Sequence, residues 1–205
     1  MKNLPPIPTG RNVHLEPGPQ SPTLNPDDEE VWRRGLLNSR KQKEDYFLNG
    51  HDSPLKRDGK SNDGPLNYFE PDPSYRFEVA LNRHSDPGSI IMATSKGTRR
   101  LFNNIGYFEV DIGGQPVRIQ AYQSAELDDP SIFIPFRDAT SGGETYGAAR
   151  YIDLEVEHDD RYALDFNYAY NPYCAYSDSY TCPLPPSENW LKVPVRAGEK
   201  KYHEE

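Results

Sequence analysis

From Tyr75 onward, the sequence alternates apolar and polar residues in short runs that are separated by turn residues. The clearest run, YRFEVALNRH, places Tyr75, Phe77, Val79 and Leu81 on one face of an extended chain, because successive side chains of a strand point to opposite faces. Similar runs recur to about residue 197. This pattern predicts a mainly β fold, an antiparallel β-sandwich or barrel of about eight strands.

Turn residues between these runs predict how the strands connect. Gly113 and Gly114 separate YFEVDI from PVRIQAYQ, which is a strong signal for a tight β-hairpin. Residues 158–160 (His-Asp-Asp) separate ARYIDLEVEH from RYALDFNYAY and predict a second hairpin. The run WLKVPVRA at 190–197 is interpreted as the last strand.

The N-terminal part of the chain has a different composition. Residues 1–26 contain seven prolines, which exclude a helix or a central strand and predict an extended or disordered arm. Residues 50–73 are polar and broken by further prolines and Asp-Gly pairs, so they are interpreted as a loop. The sheet and the motif loops follow at 74–200. We therefore predict a single β-rich domain over 27–205.

One helix is predicted before the sheet, over about residues 27–48. Asn25, Pro26 and four acidic residues suit a helix N-terminus, where negative charge meets the positive end of the helix dipole. Asn49 and Gly50 suit its end. Several residues form a patchy apolar stripe at helical spacing, namely Trp32, Leu36, Lys43, Tyr46 and Phe47.

Composition excludes several classes of function. The net charge of −9 argues against a protein that binds a nucleic-acid backbone. No apolar run approaches the length of a membrane span, and the N-terminus has no apolar segment typical of a secretory signal. We therefore expect a cytoplasmic protein with no nucleic-acid or membrane partner, no metal and no cofactor. The sequence predicts neither the oligomeric state nor a reaction.

Long motifs between residues 67 and 200 resemble a prokaryotic family, the domain of unknown function numbered 1684. The matching elements are NYFEPDPSYR at 67–76, PFRDATSGGETYGAARY at 135–151, LDFNYAYNPYCAY at 164–176 and CPLPPSENWLKVPVRAGEK at 182–200. The helix segment WRRGLLNSRKQKEDYF is also similar to the family. The element TSGGETYG departs from the family pattern by one additional glycine. The resemblance implies a short form that lacks the additional module of longer members. It implies no established activity.

The motif segments are rich in tyrosine, arginine and asparagine, which favours a binding site for a small molecule. Eight of the fourteen tyrosines lie between Tyr146 and Tyr180, and phenols combine an apolar ring with a polar group. We hypothesise a β-barrel or sandwich module that binds a small polar or anionic ligand at its mouth. The candidate ligand-binding residues are Arg76, Tyr146, Arg150, Asn167, Asn171 and Lys200.

Two alternatives remain open at this stage. The first is a hydrolase-like enzyme with paired carboxylates as acid and base, for which Asp138, Glu144 and Asp165 are the candidates. The second is a structural lock, in which the same charges form ion pairs that tie loops to the sheet and bind no ligand. Whether the protein is an enzyme is therefore left open.

Cys174 and Cys182 are the two cysteines of the chain, and seven residues separate them. They are interpreted as structural thiols or as a disulfide that closes a short loop. A zinc site is not expected, because the five histidines show no spacing that would complete four ligands. A catalytic thiol would need an adjacent base, and no base is close in sequence.

Overall fold

The computed structural model describes four stretches of the chain, residues 21, 23–57, 65–126 and 131–202. Most of the predicted arm at 1–26 lies outside the described residues, as does part of the predicted loop at 50–73. None of the helices in the described stretches is both long enough and apolar enough to cross a membrane.

The predicted helix is present as α1, Pro26–Asn49. The Asn25 side chain accepts a hydrogen bond from the backbone N–H of Asp28 and caps the N-terminus, as short polar side chains do at this position. At the other end, the Gly50 N–H donates to the carbonyl of Tyr46. Both ends of the helix therefore agree with the boundaries expected from the sequence to within one residue.

The eight strands are antiparallel and form two sheets. A two-stranded sheet pairs β1 with β8, and a larger sheet has the order β2-β4-β5-β6-β7, with β3 also paired to β4. This confirms the predicted mainly β fold with an N-terminal helix. The strands are β1 Arg76–Ala80, β2 Asn82–Arg83, β3 Ser89–Ala93, β4 Arg99–Ile112, β5 Gln115–Ser124, β6 Ile132–Phe136, β7 Arg150–Leu154 and β8 Arg161–Asp165.

The main core contains apolar side chains from both sheets, as in a sandwich. Phe77 of β1 and Leu164 of β8 are fully buried in it together with Phe108 of β4 and Ile134 of β6. The alternating burial along β1 follows the period-two pattern of the sequence. Phe166, just after β8, packs edge-on against the rings of both Phe77 and Phe136.

Two local predictions were wrong. Residues 158–160 do not join a hairpin, because β7 pairs with β6 and β8 pairs with β1, so the two strands belong to different sheets. The segment 190–197 alternates in burial but is not a strand. Pro194 lacks a backbone donor for a ladder, and the carbonyls of Val195 and Ala197 accept hydrogen bonds from a buried arginine side chain instead.

Helix α1 packs on the loops that follow β8. Leu36 and Phe47 of its predicted stripe are buried, whereas Tyr46 is 41% exposed. The Phe47 ring lies edge-on against Tyr176, with ring centroids 4.8 Å apart. The helix therefore covers the tyrosine-rich loops rather than the main core between the sheets.

Candidate functional site

Arg150, the first residue of β7, is the largest fully buried side chain of the described residues. Its guanidinium donates to three backbone carbonyls of the C-terminal segment, those of Val195, Ala197 and Glu199. It also lies 3.4 Å from the Asp138 carboxylate. Arg150 was predicted to bind a ligand at the mouth, but the structure places it beneath the surface, where its partners belong to the chain itself.

Asp138 completes what we call the Arg150 network, defined as Arg150, Asp138, Thr140 and the backbone of 195–199. The Asp138 side chain is fully buried. Its Oδ2 accepts from the Val195 N–H at 2.6 Å, and both carboxylate oxygens accept from the Thr140 hydroxyl. Burial lowers the pKa of the Arg150 guanidinium, and the Asp138 charge opposes this shift. The network therefore replaces a β-ladder for the C-terminal segment.

Asp165 and Asn167 lie beneath α1, at the end of β8. The Asp165 carboxylate accepts from the Trp32 indole Nε1 at 2.7 Å and from the Asn167 N–H and side chain. The Asn167 amide also exchanges two hydrogen bonds with the backbone of Asp72. These two candidates therefore hold the helix and the segment before β1 together, and Asn167 lines only a small cavity of about 50 Å³ beside α1.

We expect Trp32→Phe to lower the free energy of unfolding by about 2 kcal/mol, because hydrogen bonds to a charged acceptor contribute more than neutral ones. Trp190→Phe is the matched control, since its Nε1 donates to the uncharged carbonyl of Pro185 and its loss is expected to cost about 1 kcal/mol or less. Urea unfolding of both variants and of wild type measures the loss in the free energy of unfolding for each. Equal losses would contradict the role assigned to the Trp32–Asp165 bond.

Glu199 is a site of convergence that the sequence prediction missed. Its carboxylate is 1% exposed and accepts from the ammonium of Lys43, which is 24% exposed. It also accepts from the Tyr68 and Tyr176 hydroxyls and from the Asn171 N–H. We call these five residues the Glu199 network. Asn171, predicted to bind a ligand, is therefore a buried member of this network, and its side-chain amide donates to the Lys200 carbonyl.

Electrostatics keep the phenols of this network protonated. Burial raises the pKa of Tyr176 well above its usual range, and the adjacent Glu199 carboxylate raises it further. Tyr68 is affected in the same direction by the same two causes. Burial lowers the pKa of Lys43, while Glu199 favours its charged form. The two phenols therefore keep their protons as donors to the carboxylate.

Gly198 links the two networks. Its φ of +78° belongs to the left-handed region, which residues with a side chain rarely adopt. A Cβ there would lie 2.4 Å from the carbonyl oxygen of Ala169. Only glycine therefore permits this close approach, which lets the carbonyl of Ala197 face Arg150 while the Glu199 side chain reaches α1.

Three further candidates lie at or near the surface, and each of their side chains has a different partner. Arg76 binds Glu78 two residues away, and Glu144 forms an exposed ion pair with Arg196. The Lys200 ammonium lies over the Phe69 ring, 4.8 Å from its centroid. The structure therefore does not bring Arg76, Glu144 or Lys200 into one site with the buried candidates.

A cleft of about 660 Å³ opens between α1 and the tyrosine-rich loops. The phenols of Tyr168 and Tyr173 are 43% and 39% exposed, so their rings are accessible at its surface. Lys43 and Asp153 are the charged residues of its lining. The lining residues are Ser39, Lys43, Tyr46, Phe47, Tyr151, Asp153, Tyr168, Tyr170, Pro172, Tyr173, Tyr180, Thr181 and Cys182.

The cleft lies in the tyrosine-rich region expected from the sequence, but not at the predicted ligand-binding residues. None of the six predicted ligand-binding residues is in its lining, although Tyr146 lies close by, with its hydroxyl 3.8 Å from the Cys174 sulfur. The high density of tyrosines in the sequence was the feature from which this cleft could be predicted. The contribution of Ser39, Lys43 and Phe47 from the predicted helix had no such signal, because it depends on how the helix docks.

The two cysteines border the same region as free thiols, rather than as the disulfide considered from the sequence. The Cys174 N–H donates to the Cys182 sulfur at 3.4 Å. Cys182 is buried and Cys174 is partly exposed. Within the described residues, no group of three or more His, Cys, Asp or Glu side chains is arranged to hold a metal ion.

Comparison with known proteins gives a family and a fold. The family model described as "Protein of unknown function (DUF1684)" matches residues 64–200. The solution NMR structure of an uncharacterized protein of Haloarcula marismortui is 35% identical, with a TM-score of 0.65, and the match covers 85% of this chain and 96% of that one. No curated protein is significantly similar to the chain.

Proposed function

The chain belongs to the DUF1684 family of proteins of unknown function, and from this premise we propose that it is a binding module for a small polar ligand that contains a ring. The ligand would occupy the cleft between α1 and the tyrosine-rich loops. The observation that carries the proposal is the seven aromatic side chains in the lining of this one cleft. Its volume of about 660 Å³ is typical of small-molecule sites.

The exposed phenols favour a planar or sugar-like ring. Tyr168 and Tyr173 offer ring faces for stacking, and their hydroxyls can hydrogen-bond to polar groups at the ring edge. The Tyr170 hydroxyl already donates to the Asp153 carboxylate, which fixes both groups at the wall. A fixed carboxylate can accept a hydrogen bond from a ligand hydroxyl.

The charge of the cleft favours an uncharged ligand over an anion. The Lys43 ammonium is bound to the buried Glu199 carboxylate, so its charge is already balanced. Asp153 adds a negative charge to the lining. The polar or anionic ligand expected from the sequence was assigned to a mouth with the cations Arg76, Arg150 and Lys200, and none of these lines the cleft.

The geometry gives less support to a hydrolase. Asp138 and Asp165 are buried with protein donors, and Glu144 is paired with Arg196 at the surface. The cleft lining includes none of these three carboxylates. The structural-lock hypothesis suits the Arg150 and Glu199 networks, and it is compatible with a ligand in the adjacent cleft.

Saturation-transfer difference NMR tests the binding proposal with methyl β-D-glucopyranoside and benzyl alcohol as probes of the two ring types. We expect transfer to at least one probe, and its loss in the double variant Tyr168→Ala/Tyr173→Ala. Because both side chains are partly exposed, the variant should retain its melting temperature to within a few degrees. Tyr107→Ala on β4, outside the cleft, is the matched control.

Equal transfer in the double variant and in wild type would place binding elsewhere and contradict the proposal. Absence of transfer to both probes would contradict the assigned ligand class. Native mass spectrometry of the purified chain adds an independent readout, because a retained ligand would appear as excess mass over the denatured protein.

A further inference from the structure

Cys174 and Cys182 form a contacting pair of thiols at the edge of the cleft. The backbone N–H of Cys174 lies 3.4 Å from the Cys182 sulfur, and the Cys182 N–H is held by the Ser95 hydroxyl at 3.1 Å. Cys174 follows Tyr173 in a short 3-10 turn and is partly exposed, whereas Cys182 is buried. Cys174 is therefore the more exposed residue of the pair, and Cys182 contacts it from the wall of the cleft.

The groups around Cys174 favour its thiolate. The Cys182 thiol and the Tyr146 hydroxyl donate hydrogen bonds to it, and they lower the pKa of Cys174 to about 6 against the opposing effect of burial. The same contact raises the pKa of Cys182, and burial raises that of Tyr146, so both donors keep their protons. Tyr151, Tyr170 and Tyr180 pack in the same cluster. Two charged groups also act on it: Asp178 acts electrostatically on Tyr146, and Arg57 lies over the Tyr180 ring.

We propose that Cys174 and Cys182 are a peroxide-reactive dithiol, in which Cys174 is oxidised first and Cys182 resolves the product. The Cys174 thiolate attacks one oxygen of hydrogen peroxide, the O–O bond breaks, and the leaving hydroxide takes a proton to become water. The resulting sulfenic acid is then attacked by the Cys182 sulfur, which loses its proton as a second water leaves. The two thiols give up two electrons, peroxide is reduced to two waters, and a disulfide forms.

This site borders the proposed ligand site, because Cys182 itself lines the cleft. The residues between the two sulfurs include Tyr180 and Thr181, which line the cleft. A Cys174–Cys182 bond would close this segment into a short loop and restrict one wall of the cleft. Peroxide chemistry does not require the ligand, so failure of either proposal is visible without the other.

The test uses the purified full chain, reduced and then treated with one equivalent of hydrogen peroxide at different pH values. We expect a mass loss of about 2 Da and loss of both iodoacetamide adducts, the signature of an internal disulfide. The rate should be half-maximal near pH 6, following the Cys174 pKa. The same chain unfolded in urea should instead follow an ordinary thiol, with a half-maximum near pH 8.5 (about the pKa of a free cysteine).

Two serine variants assign the roles. Cys182→Ser should accumulate a sulfenic acid that dimedone traps on residue 174, whereas Cys174→Ser should give neither a dimedone adduct nor a mass change. The melting curve of each variant shows whether it folds. The pH dependence of the wild-type reaction does not require either variant. A half-maximum that is equal in folded and unfolded chain, or trapping on Cys182 first, would overturn the proposal.

Discussion

Replacing Arg150 by alanine is expected to lower the free energy of unfolding by about 3–5 kcal/mol, the largest effect of any single change predicted here. The change removes the cation that faces the fully buried Asp138 carboxylate. It also removes donors from the carbonyls of Val195 and Ala197, and buried acceptors without partners are costly. A loss of this size is a large part of the total stability of a typical domain.

Arg196→Ala is the matched control for this prediction. Arg196 also pairs with a carboxylate, that of Glu144, but both side chains are about half exposed. Exposed ion pairs contribute little to stability, so the control should unfold close to wild type. Urea denaturation followed by circular dichroism compares the two. Similar losses for both variants would show that burial does not set the contribution of Arg150.

Replacing Glu199 by glutamine is expected to cost about 3 kcal/mol, the lower end of the range for a broken buried ion pair. The amide keeps the shape of the side chain, but the Lys43 ammonium loses its counter-charge. The lower value is expected because Lys43 retains 24% exposure and can turn toward water. Trp32 on α1 reports the change through its fluorescence, because its indole binds Asp165 only while the helix is docked.

A double variant separates charge from shape in this second prediction. Lys43→Met removes the unpaired ammonium, so Lys43→Met/Glu199→Gln should be more stable than Glu199→Gln alone, with a coupling that a double-mutant cycle measures. If the double variant is no more stable than Glu199→Gln, the unpaired charge is not the cause of the loss. An unchanged stability of Glu199→Gln would contradict the prediction itself.

Local patterns in the sequence predicted the elements of the fold but not all of their partners. The period-two run at 75–84 and the caps of α1 depend on neighbouring residues. The caps are present, and the run forms β1 over 76–80, while residues 82–83 form β2 in the other sheet. The partners of β7 and β8 depend on distant strands, and the turn residues at 158–160 carried no information about them. The segment 190–197 has strand periodicity, yet its carbonyls bind the Arg150 side chain.

The candidate site was also predicted only where local sequence determines it. Composition identified the tyrosine-rich loops, which do line a cleft, but it could not distinguish a buried arginine from an exposed one. Arg150 was predicted as a ligand contact from its place among the tyrosines and asparagines of the motif segments, with an ion pair as the alternative, and full burial is unusual for an arginine. Its burial depends on the close approach at Gly198 and on the position of Asp138. Neither is visible before the chain has folded.

The contacts between α1 and the C-terminal segment also constrain when the protein can finish folding. Lys43 and Glu199 are 156 residues apart, and Trp32 and Asp165 are 133 apart. The helix is synthesised early, but it can form these contacts only after almost all of the described chain has left the ribosome. Long-range contacts slow folding, and in that interval the apolar side chains of α1 face solvent. A nascent chain of this kind depends on protection from aggregation until its last segment arrives.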